Sequence, residues 1–384
     1  MKIAIVSKGR SHLIHLARLL DQKEDMEVVF YTMMPKSRCR KFGYNGKVVS
    51  LFFPVGLGEL IIRYLPKINP YRRNALRIKL GWAFNKLVAM RLRKCDVLVG
   101  LNGFAVDASI KAANKYKAIT ICDQGSSYIL KQNAIHNTYS DVPLSTMNTE
   151  RMLRHYDVVD YFMTASKYVA KSDVEFGIRE ERILYNPYGV DLSSFKPVQN
   201  SSQDTYDVIM VGSWWKHKGC DMLAEVCINR LGVSLLHVGS VVDCCLPNSP
   251  LFKHVDFVAE KELPRYYAKA KIFAMPSLDE GYGLVLLQAA ACGLPIVGSS
   301  RTGTPDTGVL LGNTPACITI KEPLSVDTIA EAISRGLTIA EKQKHCTSHP
   351  YGEKIANISW EAYGNRWYTI LNNLNNDSLR RIRQ

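Results

Sequence analysis

Between residues 60 and 95 the chain has no aspartate and no glutamate. Arg63, Lys67, Arg72, Arg73, Arg77, Lys79, Lys86, Arg91, Arg93 and Lys94 fall in that gap, interleaved with Ile61, Ile62, Tyr64, Leu76, Trp82 and Phe84. A basic stretch with apolar and aromatic neighbours suits an anionic membrane surface. It suits equally a solvated helix pair whose apolar residues enter the core. Nucleic acid is set aside as the polyanion, because no helix-turn-helix, RNA-recognition or finger motif accompanies the charge. Also missing is any apolar run long enough to span a bilayer. The apolar opening, residues 1–7, is too short for a signal peptide and runs straight into Lys8-Gly9-Arg10, so it reads as a first buried strand. The ten cysteines form no Cys-x-x-Cys pair, and His217 with Cys220 makes at most half a zinc site. Without a secretory signal they fit small core residues in a reducing cytoplasm. No Asp-x-Asp pair is placed to bind a metal, and no repeat or low-complexity tract interrupts the chain.

What is present is enough for more than one core: 384 residues with net charge +14 suit two α/β domains. Apolar runs at residues 2–7, 26–32, 96–100, 118–122 and 158–165 read as parallel strands of a doubly wound first domain. Ser11 caps a helix whose stripe is Leu13, Leu16, Ala17 and Leu20. Further helices are expected near residues 107–116 and up to Gly177. Polar residues 199–205 read as a linker. A second sheet follows at residues 206–211, 234–238, 255–258, 271–275, 295–298 and 316–320. Ligands of such sheets bind beyond the carboxyl ends of the strands.

The richest segment is Pro276-Ser277-Leu278-Asp279-Glu280-Gly281-Tyr282-Gly283-Leu284, followed by a good helix former through Ala291 that Gly293 and Pro295 close. Strand, glycine loop and helix start make an anion site. Unpaired N–H groups face the ligand and the glycines let it come close. Glu280 sits beside that site and Gln288 lies about two helical turns on. A pyrophosphate flanked by two sugars suits this geometry. Val211-Gly212-Ser213-Trp214-Trp215-Lys216-His217-Lys218-Gly219 closes another strand with two lysines. Ile121-Cys122-Asp123-Gln124-Gly125 closes a third, where Asp123 either meets a ligand hydroxyl or caps the turn. His12 reads as a first-turn residue facing solvent in preference to a ligand contact. His136 and His155 read as ordinary residues.

These segments resemble retaining glycosyltransferases of the GT-B fold, family 4. The pattern there is Pro-Ser-x-x-Glu-Gly-Phe/Tyr-Gly-Leu with a second Glu after seven residues. Here Glu280 matches the first and Gln288 replaces the second. The resemblance implies that Glu280 contacts the donor sugar at the reacting centre and Gln288 stands where a carboxylate grips the ribose. It implies that Gly281, Tyr282, Gly283 and Leu284 receive the donor phosphate. Lys218 matches the Lys of the family's Val-Gly-Arg…Lys-Gly pattern, which neutralises the diphosphate. Ser213 takes the Arg position and Lys216 stands near enough to supply charge, though without the bidentate fork of Arg. Gly9 matches the small residue of the first strand-helix turn. Asp123 stands near where many members place a His. Arg301-Thr302-Gly303-Thr304-Pro305-Asp306 resembles the following glycine loop.

The resemblance covers the chain continuously from about Arg154. It implies an α/β, two-Rossmann architecture, with an acceptor-side domain over residues 1–195, a nucleotide-sugar domain over 196–354 and a terminal helix, 355–384, crossing back. The implied activity is metal-independent, retaining transfer from a nucleotide-sugar to a saccharide or lipid-linked saccharide, with no further cofactor. With the basic stretch, it implies envelope polysaccharide assembly at the inner face of the plasma membrane. Two other readings are open: a sugar-nucleotide epimerase, and a non-catalytic partner subunit, which the changes at Ser213 and Gln288 would favour.

Overall fold

The computed structural model describes residues 1–64, 70–139, 146–199, 204–343 and 349–383. Residues 65–69 of the basic stretch, residues 200–203 of the linker and Cys346 lie outside that range.

The apolar runs become strands because each is buried on both faces between helices, as parallel sheets require. In the first sheet these are β1 (Lys2–Ser7), β2 (Glu27–Thr32), β3 (Lys47–Ser50), β4 (Val97–Leu101), β5 (Ile119–Gln124), β6 (Tyr161–Thr164) and β7 (Ile183–Tyr185). They lie in the order β3-β2-β1-β4-β5-β6-β7, every pair parallel. The second sheet holds β8 (Tyr206–Val211), β9 (Leu235–Val238), β10 (Phe252–Val255), β11 (Ala270–Met275), β12 (Ile296–Ser299) and β13 (Cys317–Ile320). Its order is β10-β9-β8-β11-β12-β13, again parallel. The two orders are the same doubly wound pattern. Each reverses direction once, at β1/β4 and at β8/β11, and a ligand crevice opens there.

Some boundaries differ from the sequence reading, each for a local reason. The run 158–165 loses its start to the helix Thr146–Val158, leaving β6 at Tyr161. The strand expected at 255–258 ends at Val255, because β10 pairs in register with β9 from Phe252↔Leu235 to Val255↔Val238. Beyond it Phe257 stands in solvent, 83% exposed. The short edge strand β3 was not expected, since Lys47 and Ser50 flank only two apolar residues.

Helix Trp360–Arg383 leaves the second sheet and lies on the first domain. Its Trp360, Tyr363, Trp367 and Leu371 are buried in one core with Leu13, Leu16, Leu19 and Leu20 of helix Leu13–Leu20. A Cβ at Gly364 would press on the Leu19 side chain at 2.7 Å, so the helices cross at that glycine. Arg366 holds the crossing from the polar side, donating to Asn186 Oδ1 at 2.7 Å and to the Pro187 carbonyl at 2.8 Å. Replacing the fully buried Trp367 with Ala removes a ring from this seam, and the expected loss is about 3–5 kcal/mol. Urea unfolding of the two proteins measures it; a change under about 1 kcal/mol would mean the helix does not hold the domains together.

Candidate functional site

The loops after β8 and β11 meet at the reversal of the second sheet. Gly219, with φ of +72°, closes the turn after β8, and a Cβ there would overlap the Pro276 carbonyl oxygen. Leu278 N–H donates to the His217 carbonyl at 2.9 Å, and Ser277 Oγ donates to the same oxygen at 3.2 Å. This stitching brings Lys218 and Glu280 into an ion pair, each side chain 20% exposed. Burial pulls the Lys218 ammonium down to about 8, while the Asp279 carboxylate acts in the opposite sense. Asp279 is itself buried and accepts from Tyr168 Oη at 2.9 Å.

The glycine loop continues into helix Leu284–Ala291, whose cap residue Gly283 has φ of +86°. The other expected donor residues sit around this helix and the β8 turn, in different postures. Gln288 is buried and its Oε1 already accepts from Tyr267 Oη at 3.3 Å. Tyr282 turns its ring inward, with its hydroxyl 3.0 Å from Thr307 Oγ1 and its ring against Tyr188, so its side chain is not free to meet a ligand. Leu284 is partly exposed at the helix start. Ser213 Oγ lies 3.4 Å from Ser240 Oγ, and Lys216 is exposed while its backbone N–H donates to Asp243 Oδ1 at 2.9 Å. Thr302 is wholly buried, bonded to the Ser299 carbonyl and Thr304. Gly303 lets the Tyr282 ring lie flat on the backbone.

The first sheet supplies the facing wall. Gly9 lies in the turn after β1, where a Cβ would meet open space, so close packing does not demand glycine there. Asp123, the fifth residue of β5, is 1% exposed. His12 corrects the sequence reading: it is not a solvent residue. Its Nε2 lies 2.6 Å from Asp123 Oδ1 and its ring packs 4.3 Å from Tyr188. The signal was its place in the turn after β1, at the carboxyl end of a strand two positions from β5 in the sheet. His155, read as an ordinary residue, is a core histidine. It is buried, accepts from Gly103 N–H at 3.1 Å, and is pulled down to about 3 by burial, hence neutral.

The two walls touch through backbone. A Cβ at Gly281 would overlap the Gly125 carbonyl oxygen, and Ser166 Oγ donates to the Gly281 carbonyl at 2.6 Å. Arg10 and Glu260 form a second bridge, as an ion pair. Lys218, Glu280, Asp123 and His12 therefore stand at one crevice. Among the described residues no three His, Cys, Asp or Glu side chains gather as a metal-ligand group.

Residues 205–338 match the family described as "Glycosyl transferases group 1". The chain is 30% identical over 109 residues to the O-antigen chain mannosyltransferase B of Escherichia coli, covering 28% of this chain and 27% of that one. It is 35% identical over 131 residues to a GDP-mannose-dependent alpha-(1-6)-phosphatidylinositol monomannoside mannosyltransferase of Mycolicibacterium smegmatis, covering 31% and 33%. These alignments span about a third or less of each relative's length. In three dimensions the likeness covers almost everything. Anabaena HepE, solved with UDP and glucose, superposes with a TM-score of 0.64 at 14% identity, over 97% of this chain and 100% of that one. A sucrose-phosphate synthase of Thermosynechococcus elongatus gives 0.66 at 15% identity, over 97% and 98%. Both carry the same GT-B architecture.

The buried lysine has a pH consequence. Its folded value of about 8 lies below the ordinary 10.5, so the unfolded chain binds this proton more tightly. The charged form costs stability below about 8, and stability is recovered as pH rises from there towards 10.5. Wild type should gain stability relative to Lys218→Met as pH is raised past about 8, read by urea unfolding; a difference independent of pH would place Lys218 in solvent.

Proposed function

We propose, for a chain that belongs to the GT-B glycosyltransferases and is akin to their family 4, that it transfers a sugar from a nucleoside diphosphate donor to a saccharide or lipid-linked saccharide. The observation that carries this is the Lys218–Glu280 pair at the reversal point of the second sheet, facing His12 and Asp123 across the crevice. A diphosphate arriving at the start of helix Leu284–Ala291 meets N–H groups and the positive end of the helix dipole. It also competes with Glu280 for Lys218. That exchange moves the ammonium onto the leaving group and frees the Glu280 carboxylate for the sugar.

Retention follows from a one-face route. The bond from anomeric carbon to phosphate oxygen breaks as the acceptor oxygen bonds on the same face. The acceptor proton passes to the leaving phosphate oxygen. Glu280 supports positive character at the ring, and Lys218 with the helix start supports negative character on the diphosphate. The His12–Asp123 pair holds the far wall and orients sugar hydroxyls. This account uses no metal, since an ammonium and a helix dipole perform the neutralisation.

The names of the relatives favour a mannosyl donor and an envelope acceptor. Membrane attachment is the accompanying proposal. No described helix is long and apolar enough to cross a bilayer. Yet Phe53, Ile61 and Tyr64 are exposed at 68%, 50% and 72%, and Arg72, Lys79, Lys86 and Arg91 are exposed too. Exposed apolar and basic side chains of this kind fit the anionic inner leaflet of the plasma membrane, in keeping with a cytoplasmic protein. Vesicles rich in phosphatidylglycerol should carry the protein on flotation, and neutral phosphatidylcholine vesicles should not; equal behaviour in both would remove the membrane from the account.

Thermal shift against UDP, GDP, ADP, CMP and dTDP identifies the donor class, and GDP-mannose is the first conjugate to assay. Glu280→Gln and Lys218→Gln are each expected to lower transfer roughly 10²–10³-fold, with Lys218→Gln also weakening nucleotide binding. Full activity in both variants would refute the assignment.

A further inference from the structure

We infer that the first domain holds a second anion site, built from Lys8 and Arg151 around Phe104 with Arg77 and Glu59 beside Lys8, which takes a phosphate or carboxylate carried by the acceptor. It rests on the transfer reading above and adds the chemical class of the acceptor. Lys8 follows β1, and Phe104 lies three residues beyond β4. These strands flank the reversal of the first sheet, where a ligand crevice opens.

Arg151, in helix Thr146–Val158, forms the floor. It is 3% exposed, and its Nη2 donates to Asn148 Oδ1 at 2.7 Å. Its Nε and Nη1 are buried with no hydrogen-bond partner among the described residues. Two glycines make room for the guanidinium itself to pack against the backbone. A Cβ at Gly81 would overlap Nη1, and one at Gly103 would stand 3.3 Å from Nε. The guanidinium lies 4.4 Å from the Phe104 ring centroid, and Lys8 Nζ reaches the same ring at 5.7 Å. Buried donors on a permanent cation are normally paired, because an unpaired buried charge destabilises the fold.

The rim carries more positive charge than it cancels. Lys8 Nζ is 3.1 Å from Glu59 Oε2 and Arg77 Nε is 2.6 Å from Glu59 Oε1. Glu59 is thus shared by two cations, and neither ion pair reaches Arg151. Burial lowers both Arg151, to about 10, and Lys8, whose fall Arg77 and Arg151 deepen by repulsion. An oxyanion relieves all three at once. It accepts from the Arg151 nitrogens, draws Lys8 from Glu59 and leaves Glu59 to Arg77. The donor diphosphate does not need this place, since Lys218 and the helix start serve it on the other sheet. The remaining reactant is the acceptor.

Lys8 and Arg77 are partly exposed, so replacing them spares the buried packing of Arg151. The test is calorimetric titration of the full chain with inorganic phosphate, with glucuronate and with glucose. Wild type, Lys8→Gln, Arg77→Gln and Lys218→Gln proteins are compared, each checked for folding by its melting curve. Phosphate or glucuronate, and not glucose, should bind wild type and Lys218→Gln. Affinity should fall roughly tenfold in Lys8→Gln, the loss of one charged hydrogen bond. Whichever of the two anions binds names the group on the acceptor. Binding of neither anion overturns the site, as does binding that Lys218→Gln abolishes and Lys8→Gln leaves intact. In those cases a wild-type response to a nucleoside diphosphate keeps the transfer reading standing. Absence of any nucleotide response in wild type overturns the transfer reading, and with it the assignment of the anion to an acceptor.

Discussion

The contact between Gly281 and Gly125 is the constraint on which the crevice depends. It joins the loop after β11 to the loop after β5, backbone against backbone, where no side chain fits. Ser166 and Tyr168 reinforce it by bonding to the Gly281 carbonyl and to Asp279. Two sheets that share no strand are thereby held with their carboxyl ends facing. The helix Trp360–Arg383 provides the second tie, apolar on one side and bonded through Arg366 on the other. With both ties made, groups far apart in the chain, such as His12 and Glu280, come to line one crevice.

Within that frame the charges are arranged to be exchanged. Lys218 is paired with Glu280, and Lys8 and Arg77 with Glu59. Each pairing keeps a partly buried cation tolerable before an anion arrives, and each can be surrendered to a stronger acceptor. Arg151 has no such carboxylate among the described residues, and Asp123 is met by a histidine. The second sheet thus carries a paired lysine and carboxylate at its reversal, and the first carries the His12–Asp123 contact and, apart from it, the Lys8, Arg77 and Arg151 cations.

Legibility varied with how local the cause was. The helix Leu284–Ala291 and the strands Lys2–Ser7 and Tyr206–Val211 appear where the pattern places them, because glycine, proline and unbroken apolar runs act over a few residues. The glycine loop 276–284 and the helix start after it were legible for the same reason. His12 was misread, since one residue in a turn says nothing about a strand more than a hundred positions away. Gln288 was expected to face the ligand, yet the structure shows it bonded to Tyr267 as well. The cations Lys8 and Arg151 carried no motif and were passed over.

The amino-acid sequence by itself determined two doubly wound α/β halves, the glycine loop with the helix after it and the separate identities of Lys218 and Glu280, because periodicity and turn chemistry are short-range. Only the tertiary structure decided which side chains meet. The Lys218–Glu280 pair, the His12–Asp123 contact and the half-satisfied guanidinium of Arg151 all arise from tertiary packing. Electrostatics inside such a crevice depends on distance and burial, and neither is written at any single position of the chain.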